Sequence, residues 1–473
     1  MPQSTLPVPL HVWADQHAVL QAQPPATVTP AIPVPNPTVS FWQRDLDVSP
    51  EPAHGSDGPL TADADICIVG SGISGVSAAY HLAKIFAEKG SSQPIKAVIL
   101  EARDFCSGAT GRNGGHLSAV VHEEFAAKQT LYGTEDALRE VKIQQYTVDQ
   151  LTKVVKSANQ GAELDLVSGG RVTLFFTDEE HAAAKADYAA AKQAGVDVRS
   201  LEWLSKEEVQ AQYGASFPGM RTQGNNIWPL KTVALLYNLA QQASPNFTLD
   251  LHTRTPVTAI TEGSPTRRWT VETPRGKISC SYVLHARNAY VSHLLPHLHG
   301  PEGVIPTRGQ VIATRASAPV DVLTKSAWGS NEGFEYWFPR PVKGLETAPL
   351  VILGGAREAA QPQYELYEVD DSTLNPTVSS ALRKFLPSVF PGKYEPDREP
   401  EVEWSGDPFV GPVVDPSNAD RYEGQYLSVG FSGHGMPRAY SCAEAVAGMI
   451  AGDITGNAWN VPEWLPLHYL TKK

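Results

Sequence analysis

Cysteine is scarce in this chain of 473 residues: the four, Cys67, Cys106, Cys280 and Cys442, lie far apart and form no CxxC pair. That spacing argues against a disulfide framework and a structural zinc site, and it fits a reducing compartment, so a cytoplasmic location is expected. Positive charge is also in deficit. With 38 Lys+Arg against 51 Asp+Glu the formal charge is -13, which leaves no basic field for a nucleic-acid backbone or an anionic lipid surface. No run approaches the roughly 20 apolar residues that cross a bilayer, and no amino-terminal segment combines a basic region with a long apolar run. Nucleic acid and membrane are therefore not expected partners.

What is present is a globular composition, 42% hydrophobic and 19% charged, on a chain long enough for two cores. Twelve of the 38 prolines fall in the first 60 residues. Such a density predicts an extended arm or a disordered leader over 1–60, without continuous helix or central strand, anchored, where it packs, by Phe41 and Trp42. Order is expected from Asp65. Ile66–Val69 reads as a short buried strand, Gly75–Ala87 carries apolar residues at helical spacing, and Ala97–Leu100 reads as a second strand, which together make one βαβ unit. Residues 125–160 read as helices. Arg171–Phe176, Gln310–Thr314, Tyr336–Phe338 and Leu350–Leu353 read as strands of a second sheet gathered from separated segments. Ser441–Ala451 returns to a helical pattern. The expected fold is α/β and α+β: a Rossmann-type domain with a parallel sheet and helices, from 61–160, 220–300 and 400–460, plus a discontinuous substrate domain with a mainly antiparallel sheet, from 161–219 and 301–399, and a tail over 461–473.

The turn between strand and helix is Gly70-Ser-Gly72-Ile73-Ser74-Gly75. In that context Gly70 permits the tight turn, Gly72 lets a pyrophosphate approach the backbone, and Gly75 lets helix and strand pack closely. The pyrophosphate would face free N–H groups at a helix start. Glu101, ending the second strand, is placed to accept hydrogen bonds from ribose hydroxyls, and an acid there favours a free ribose over a 2′-phosphate. This motif alone does not separate NAD from FAD.

The next segment of the chain makes that separation. Glu101-Ala102-Arg103 leads into Cys106-Ser107-Gly-Ala-Thr110-Gly111-Arg112-Asn113-Gly114-Gly115-His116-Leu117, a small, polar, glycine-rich loop. Here the sequence resembles the D-amino-acid-oxidase-like (DAO) family of FAD-dependent oxidoreductases, and in particular its gamma-glutamylputrescine-oxidase-like branch, in which such a loop lines the pyrophosphate and passes beside the isoalloxazine ring. The resemblance extends to Val257-Thr-Ala-Ile260, similar to the strand whose valine backbone contacts adenine, to Ala286-Arg-Asn-Ala-Tyr290 near the cofactor, to Thr307-Arg-Gly-Gln310 entering the substrate sheet, and to Gly430-Phe-Ser-Gly433-His434-Gly435-Met436, similar to the carboxyl-terminal flavin motif. This last segment precedes a helix expected from about Arg438. A helix start presents partial positive charge, which suits the negative charge that a reduced flavin gains around N1 and the C2 carbonyl.

The resemblance implies FAD, a small amine or amino-acid substrate, hydride transfer from the carbon next to nitrogen to flavin N5, hydrolysis of the imine, and O2 as electron acceptor with H2O2 as product. The catalytic candidates are His434, by the motif, and Tyr336 and Trp337, on a strand resembling the substrate-facing one. Two departures stand out. Sarcosine-oxidase-like relatives grip substrate carboxylate with a lysine at the position of Pro437, with Arg438 one step late. They also attach flavin to a cysteine before the segment resembling Trp404-Ser-Gly-Asp407, where this chain has none, so FAD is expected to be non-covalent. His293, His297 and His299 suggest no metal site, because Pro296 interrupts any helix that would align them and no Cys or acidic pair completes a set. A flavoprotein hydroxylase using NAD(P)H and a non-catalytic flavin-binding sensor are the alternative classes.

Overall fold

The computed structural model describes residues 6–21, 31–44, 47–89, 94–120, 123–301, 303–319, 322–344, 346–396, 398–406, 422–431, 433 and 435–471. The catalytic candidate His434 lies outside the described residues. Strand Asp63–Val69 is apolar through Ile66, Cys67, Ile68 and Val69, as a strand covered on both faces must be. It pairs in parallel with Ile95–Leu100 on one side and with Gly276–His285 on the other. Phe247–His252 extends the parallel sheet beyond Ile95–Leu100, and Gln425–Leu427 adds a further parallel strand beside Gly276–His285. Two antiparallel strands, Arg267–Thr273 and Ala259–Ser264, close the other edge. Val257 precedes the last of these strands by two residues, so the strand expected over 257–260 begins later than its sequence suggests.

Helix Ile73–Lys89 crosses over one face of this sheet and packs against Pro229–Gln242 and Ala439–Thr455. Ala78, Ala79 and Ala83 share one core with Ala439, Ala443, Ala447 and Ala451. Side chains that stop at Cβ let helix axes approach to the short end of the usual 8–10 Å range. The helix start is thereby fixed at the carboxyl end of the first strand.

The second sheet has eight strands in the order Val402–Gly406, Gly309–Arg315, Leu350–Gly354, Glu335–Pro339, Ala327–Ser330, Arg171–Leu174, Gly219–Thr222 and Glu202–Leu204. All neighbours pair antiparallel except Ala327–Ser330 with Arg171–Leu174. The four expected strand segments of this sheet are therefore gathered as the sequence implied. Helix Pro376–Val389 covers its far face, where Phe385 and Phe390 meet Trp328 and Trp337. Among the described residues no helix is long and apolar enough to cross a membrane, and no group of three His, Cys, Asp or Glu is placed to hold a metal ion.

The arm departs from expectation. Trp13–Gln21 forms a nine-residue helix. The prolines that break helices flank this window, at Pro9 and Pro24, rather than interrupt it, so the density argument fails locally. Further along, Trp42 is 1% exposed within the main core, with its ring edge on Trp228 at 5.5 Å and nearly parallel to Phe338 at 6.5 Å.

Candidate active site

The two sheets flank one cavity of about 1680 Å3. A single small ligand occupies roughly 300–1,000 Å3, so this space suits a dinucleotide together with a substrate. At the nucleotide end it is lined by Gly70, Gly72, Ile73, Ser74, Glu101, Ala102, Arg103, Val257 and Ala286. Gly75 lies behind that surface: a Cβ there would overlap the Gly70 carbonyl, so glycine is what lets the helix begin against the strand. Glu101 accepts from Ser71 N at 3.0 Å, Ser71 Oγ at 2.8 Å and Arg103 N at 3.0 Å, which fixes its carboxylate at the strand end. Close backbone approach, a helix start at the cavity wall and a fixed carboxylate are the donor and acceptor set that a dinucleotide requires.

The glycine loop continues the lining through Gly108, Thr110, Arg112, Asn113, Gly114 and His116. Thr110 Oγ1 accepts from Ile73 N at 3.0 Å and so ties the loop to the helix start. Ser107, Gly111, Gly115 and Leu117 do not line the cavity and are turned toward the support of the loop. That support is the arm. Ser40 Oγ donates to the Gly111 carbonyl at 2.5 Å, and the Trp42 indole N–H donates to the Asn113 carbonyl at 2.6 Å. Arg112 lines the cavity, and its buried guanidinium donates to Ser405 O at 2.6 Å and Thr38 Oγ1 at 2.5 Å. Arg103 likewise spends its guanidinium on both carboxylate oxygens of Asp371, at 2.8 and 2.9 Å. Both arginines, expected at the cofactor, line the cavity and tie it to other segments, Arg103 to Asp371 and Arg112 to Ser405 of the second sheet.

The motif after Ser428 closes the third side. Gly433, Gly435 and Met436 line the cavity, and the helix begins at Ala439, whose N–H donates to the Gly435 carbonyl at 2.8 Å. Asn288, in the turn after Ala286, accepts from Gly430 N at 3.0 Å through Oδ1 and joins two of the segments that the sequence singled out. Pro437 and Arg438 also line the cavity, but Arg438 is held 3.4 Å from Glu140. Glu140 meets His468 as well, at 3.2 Å, and His468 Nδ1 sits 2.5 Å from Asp136, so the carboxyl-terminal tail is clamped beside the motif.

At the substrate end, Tyr336 lies edge-on to His116 at 5.4 Å and against Gly114, where a Cβ would strike its ring. Burial pushes the Tyr336 phenol up to about 12 and pulls the His116 imidazole down to about 4, with the Arg171 charge acting in the same direction on the histidine. Both groups are neutral near pH 7. Trp337 faces the other way. Successive side chains on a strand alternate, so with Tyr336 turned to the cavity Trp337 is buried in the core of the second sheet, stacked on Trp328 at 5.5 Å. Sequence reasoning missed Glu123, Arg171, Glu180, Glu335 and Arg357, which line this end. Burial raises the Glu180 carboxyl to about 7 although Phe176 N and Glu332 N donate to it. The composition of strand 335–339 offered one signal: a glutamate and a tyrosine start an otherwise apolar strand.

A parallel βαβ unit, a glycine loop leading to an aromatic wall, and one cavity joining them are features of a dinucleotide-dependent oxidoreductase. Residues 65–449 match the family model of FAD dependent oxidoreductases (DAO), and the chain belongs to that family. It is 25% identical over 406 residues to a Rhizobium meliloti (strain 1021) protein named probable oxidoreductase OrdL, covering 84% of this chain and 85% of that one. It is 26% identical over 267 residues to gamma-glutamylputrescine oxidoreductase of Escherichia coli (strain K12), covering 53% of this chain; that match spans 54%, about half, of the relative. The fold is similar to glycine oxidase from Geobacillus kaustophilus, with a TM-score of 0.60 at 17% identity over 87% of this chain and 100% of that one. L-proline dehydrogenase from P. horikoshii gives 0.61 at 18% identity, covering 87% of this chain and 98% of that one.

Proposed function

We propose that this FAD-dependent oxidoreductase oxidises a C–N bond of a small amine or amino acid. The observation that carries the reading is the continuous cavity, in which the glycine loop leads from the nucleotide end directly to the Tyr336 and His116 wall. The names of the relatives, a gamma-glutamylputrescine oxidoreductase, a glycine oxidase and an L-proline dehydrogenase, support it. When bound, the flavin supplies the two-electron acceptor, and dioxygen is the proposed final oxidant, with H2O2 as product.

The protein's own residues have the remaining work. Gly70, Gly72, Ile73 and Ser74 would hold the pyrophosphate, and Glu101 the ribose, without a covalent link. Gly433, Gly435 and Met436 would lie against the ring ahead of the helix at Ala439, whose dipole favours electron density there. Tyr336 and His116 position the substrate as neutral groups. A neutral amine supplies its own electron density, so orientation outweighs a dedicated base. His434 stays the first catalytic proposal on its motif.

The test is the visible spectrum of the purified protein, followed by anaerobic addition of a panel of amines and amino acids. A flavin band near about 450 nm that one class of compound bleaches is the expected result. A band that none of them bleaches refutes the reading, and NADPH consumption in its place favours a hydroxylase.

A further inference from the structure

Arg287 sits in the turn that follows strand Gly276–His285, between Ala286 and Asn288, and lines the cavity. The fold brings this turn against the glycine turn. His285 is in register with Val69, and the Ala286 N–H donates to the Val69 carbonyl at 2.9 Å. A Cβ on Gly70 would lie 2.6 Å from the Ala286 carbonyl and 3.7 Å from Arg287 N. Two parallel strands thus end side by side, one running into the helix start at Ile73 and the other into Arg287.

The arginines of the cavity wall differ in what balances them. Arg103 and Arg112 meet Asp371 at 2.8 and 3.5 Å, Arg171 meets Glu123 at 3.0 Å, and Arg438 meets Glu140 at 3.4 Å. Arg357 lies in the field of Glu358 and Glu335. Arg287 has no carboxylate beside it among the described residues. Its Nη2 donates to the Val291 carbonyl at 3.1 Å, and its Nε, shut off from solvent, has no hydrogen-bond partner. Burial pulls the Arg287 guanidinium down to about 9 with no charge opposing it, whereas at Arg103 the Asp371 carboxylate overcomes burial and raises the value. Arg287 is still a cation at neutral pH. Its field reaches the strand end: burial, with the Arg287 charge acting in the same direction, pulls the His285 imidazole down to about 3.

A cation withdrawn from water without a counter-ion is costly to keep, and the arrival of an anion offsets that cost. Phosphate oxygens match the planar fork of a guanidinium. The anion expected at this place is the pyrophosphate, which Gly70 and Gly72 admit to the backbone beside the helix start. We infer that Arg287 binds the pyrophosphate of the dinucleotide, as the side-chain counter-charge to the backbone contacts of the Gly70 turn. This rests on the FAD reading above and adds to it a residue that the glycine motif does not contain.

The test uses the full-length protein and has two readouts besides turnover. In equilibrium dialysis Arg287→Met, which removes the charge at similar length, is expected to raise the FAD Kd at least about tenfold, as for a lost hydrogen bond between charged groups. Arg287→Lys keeps the charge without the fork and is expected to recover part of that loss. In the holoprotein saturated with FAD, the two phosphorus-31 resonances are expected to move in Arg287→Met while the visible flavin band stays in place, because the change is at the phosphates and not at the ring. Thermal midpoints of the flavin-free proteins serve as the control for folding. An FAD Kd within about twofold of wild type in Arg287→Met, or phosphorus resonances that do not move, would overturn the inference, as would wild-type protein that binds neither FAD nor ADP. ADP, which carries the diphosphate without the flavin, separates this claim from the amine reading: ADP and FAD affinities that fall together in Arg287→Met, in a protein whose flavin no amine bleaches, support the phosphate contact and refute only the oxidation reading.

Discussion

The arm's second anchor makes a quantitative prediction about the cofactor. Trp42 is almost wholly buried, and its indole N–H is the donor to the Asn113 carbonyl in the middle of the glycine loop. Trp42→Ala removes the ring from the contact with Trp228 and Phe338 and leaves a cavity, at a cost of about 3–5 kcal/mol. Trp42→Phe keeps most of the ring and deletes the N–H, for about 1–3 kcal/mol. Because the donor holds the loop, part of that loss falls on the loop's ordering before FAD arrives. Each 1.4 kcal/mol of it is about tenfold in affinity. Trp42→Phe is therefore expected to raise the FAD Kd about five- to tenfold, and Trp42→Ala by more, read from the quenching of flavin fluorescence on titration of the apoprotein. Thermal unfolding of apoprotein and holoprotein separates the two effects: the holoprotein should lose more stability than the apoprotein. A Trp42→Phe protein that is less stable but binds FAD as tightly as wild type would reduce Trp42 to core packing and refute the clasp.

Glu101→Gln puts an amide NH2 where Ser71 and Arg103 now donate to a carboxylate, and is expected to raise the FAD Kd about tenfold by equilibrium dialysis; an unchanged Kd would mean that no ribose is held there. Asp371→Asn leaves the buried Arg103 guanidinium uncompensated and should lower the unfolding free energy by about 3–5 kcal/mol in urea titration, whereas a loss below about 1 kcal/mol would show that Arg103 is solvated. The tail clamp is pH-dependent. Burial alone would lower the affinity of His468 for its proton, but Glu140 and Asp136 overcome it and raise that affinity above the ordinary 6.5. The clamp's stabilisation is therefore fully present below 6.5 and fades as pH rises through the raised folded value. The difference in thermal midpoint between wild type and His468→Gln should be largest near pH 6 and shrink toward pH 9; a difference that grows with pH refutes the charged clamp.

The glycine turn at one end of the cavity was legible in the sequence because it is a feature of the backbone. Gly70, Gly72 and Gly75 are read from the geometry of one turn, and Glu101 from the end of the next strand, all within a single βαβ unit. The strands of the second sheet were legible too, from their β-branched and aromatic content, although their partners were not. The arm helix was hidden by a count: prolines were dense over 1–60, yet none falls between Pro9 and Pro24, and helix formation depends on the local gap rather than the average. Trp337 was misplaced for a related reason. The strand was read correctly, but alternation turns only one of two neighbouring aromatics to the cavity, and composition does not say which.

What remained illegible shares a physical cause. Gln16 meets Arg357 across 341 residues, Arg103 meets Asp371 across 268, and Ser405 accepts from Arg112 across 293. Each pair is a buried charge or amide satisfied by a partner that the folded backbone happens to bring near, and no local pattern marks such a partner. The glycine turn and the glycine loop are carried by contiguous motifs. The substrate end is assembled from single side chains on separate elements, the arm included. Substitution of single side chains there can alter what is recognised without disturbing the glycine turn, which is why one fold supports many substrates.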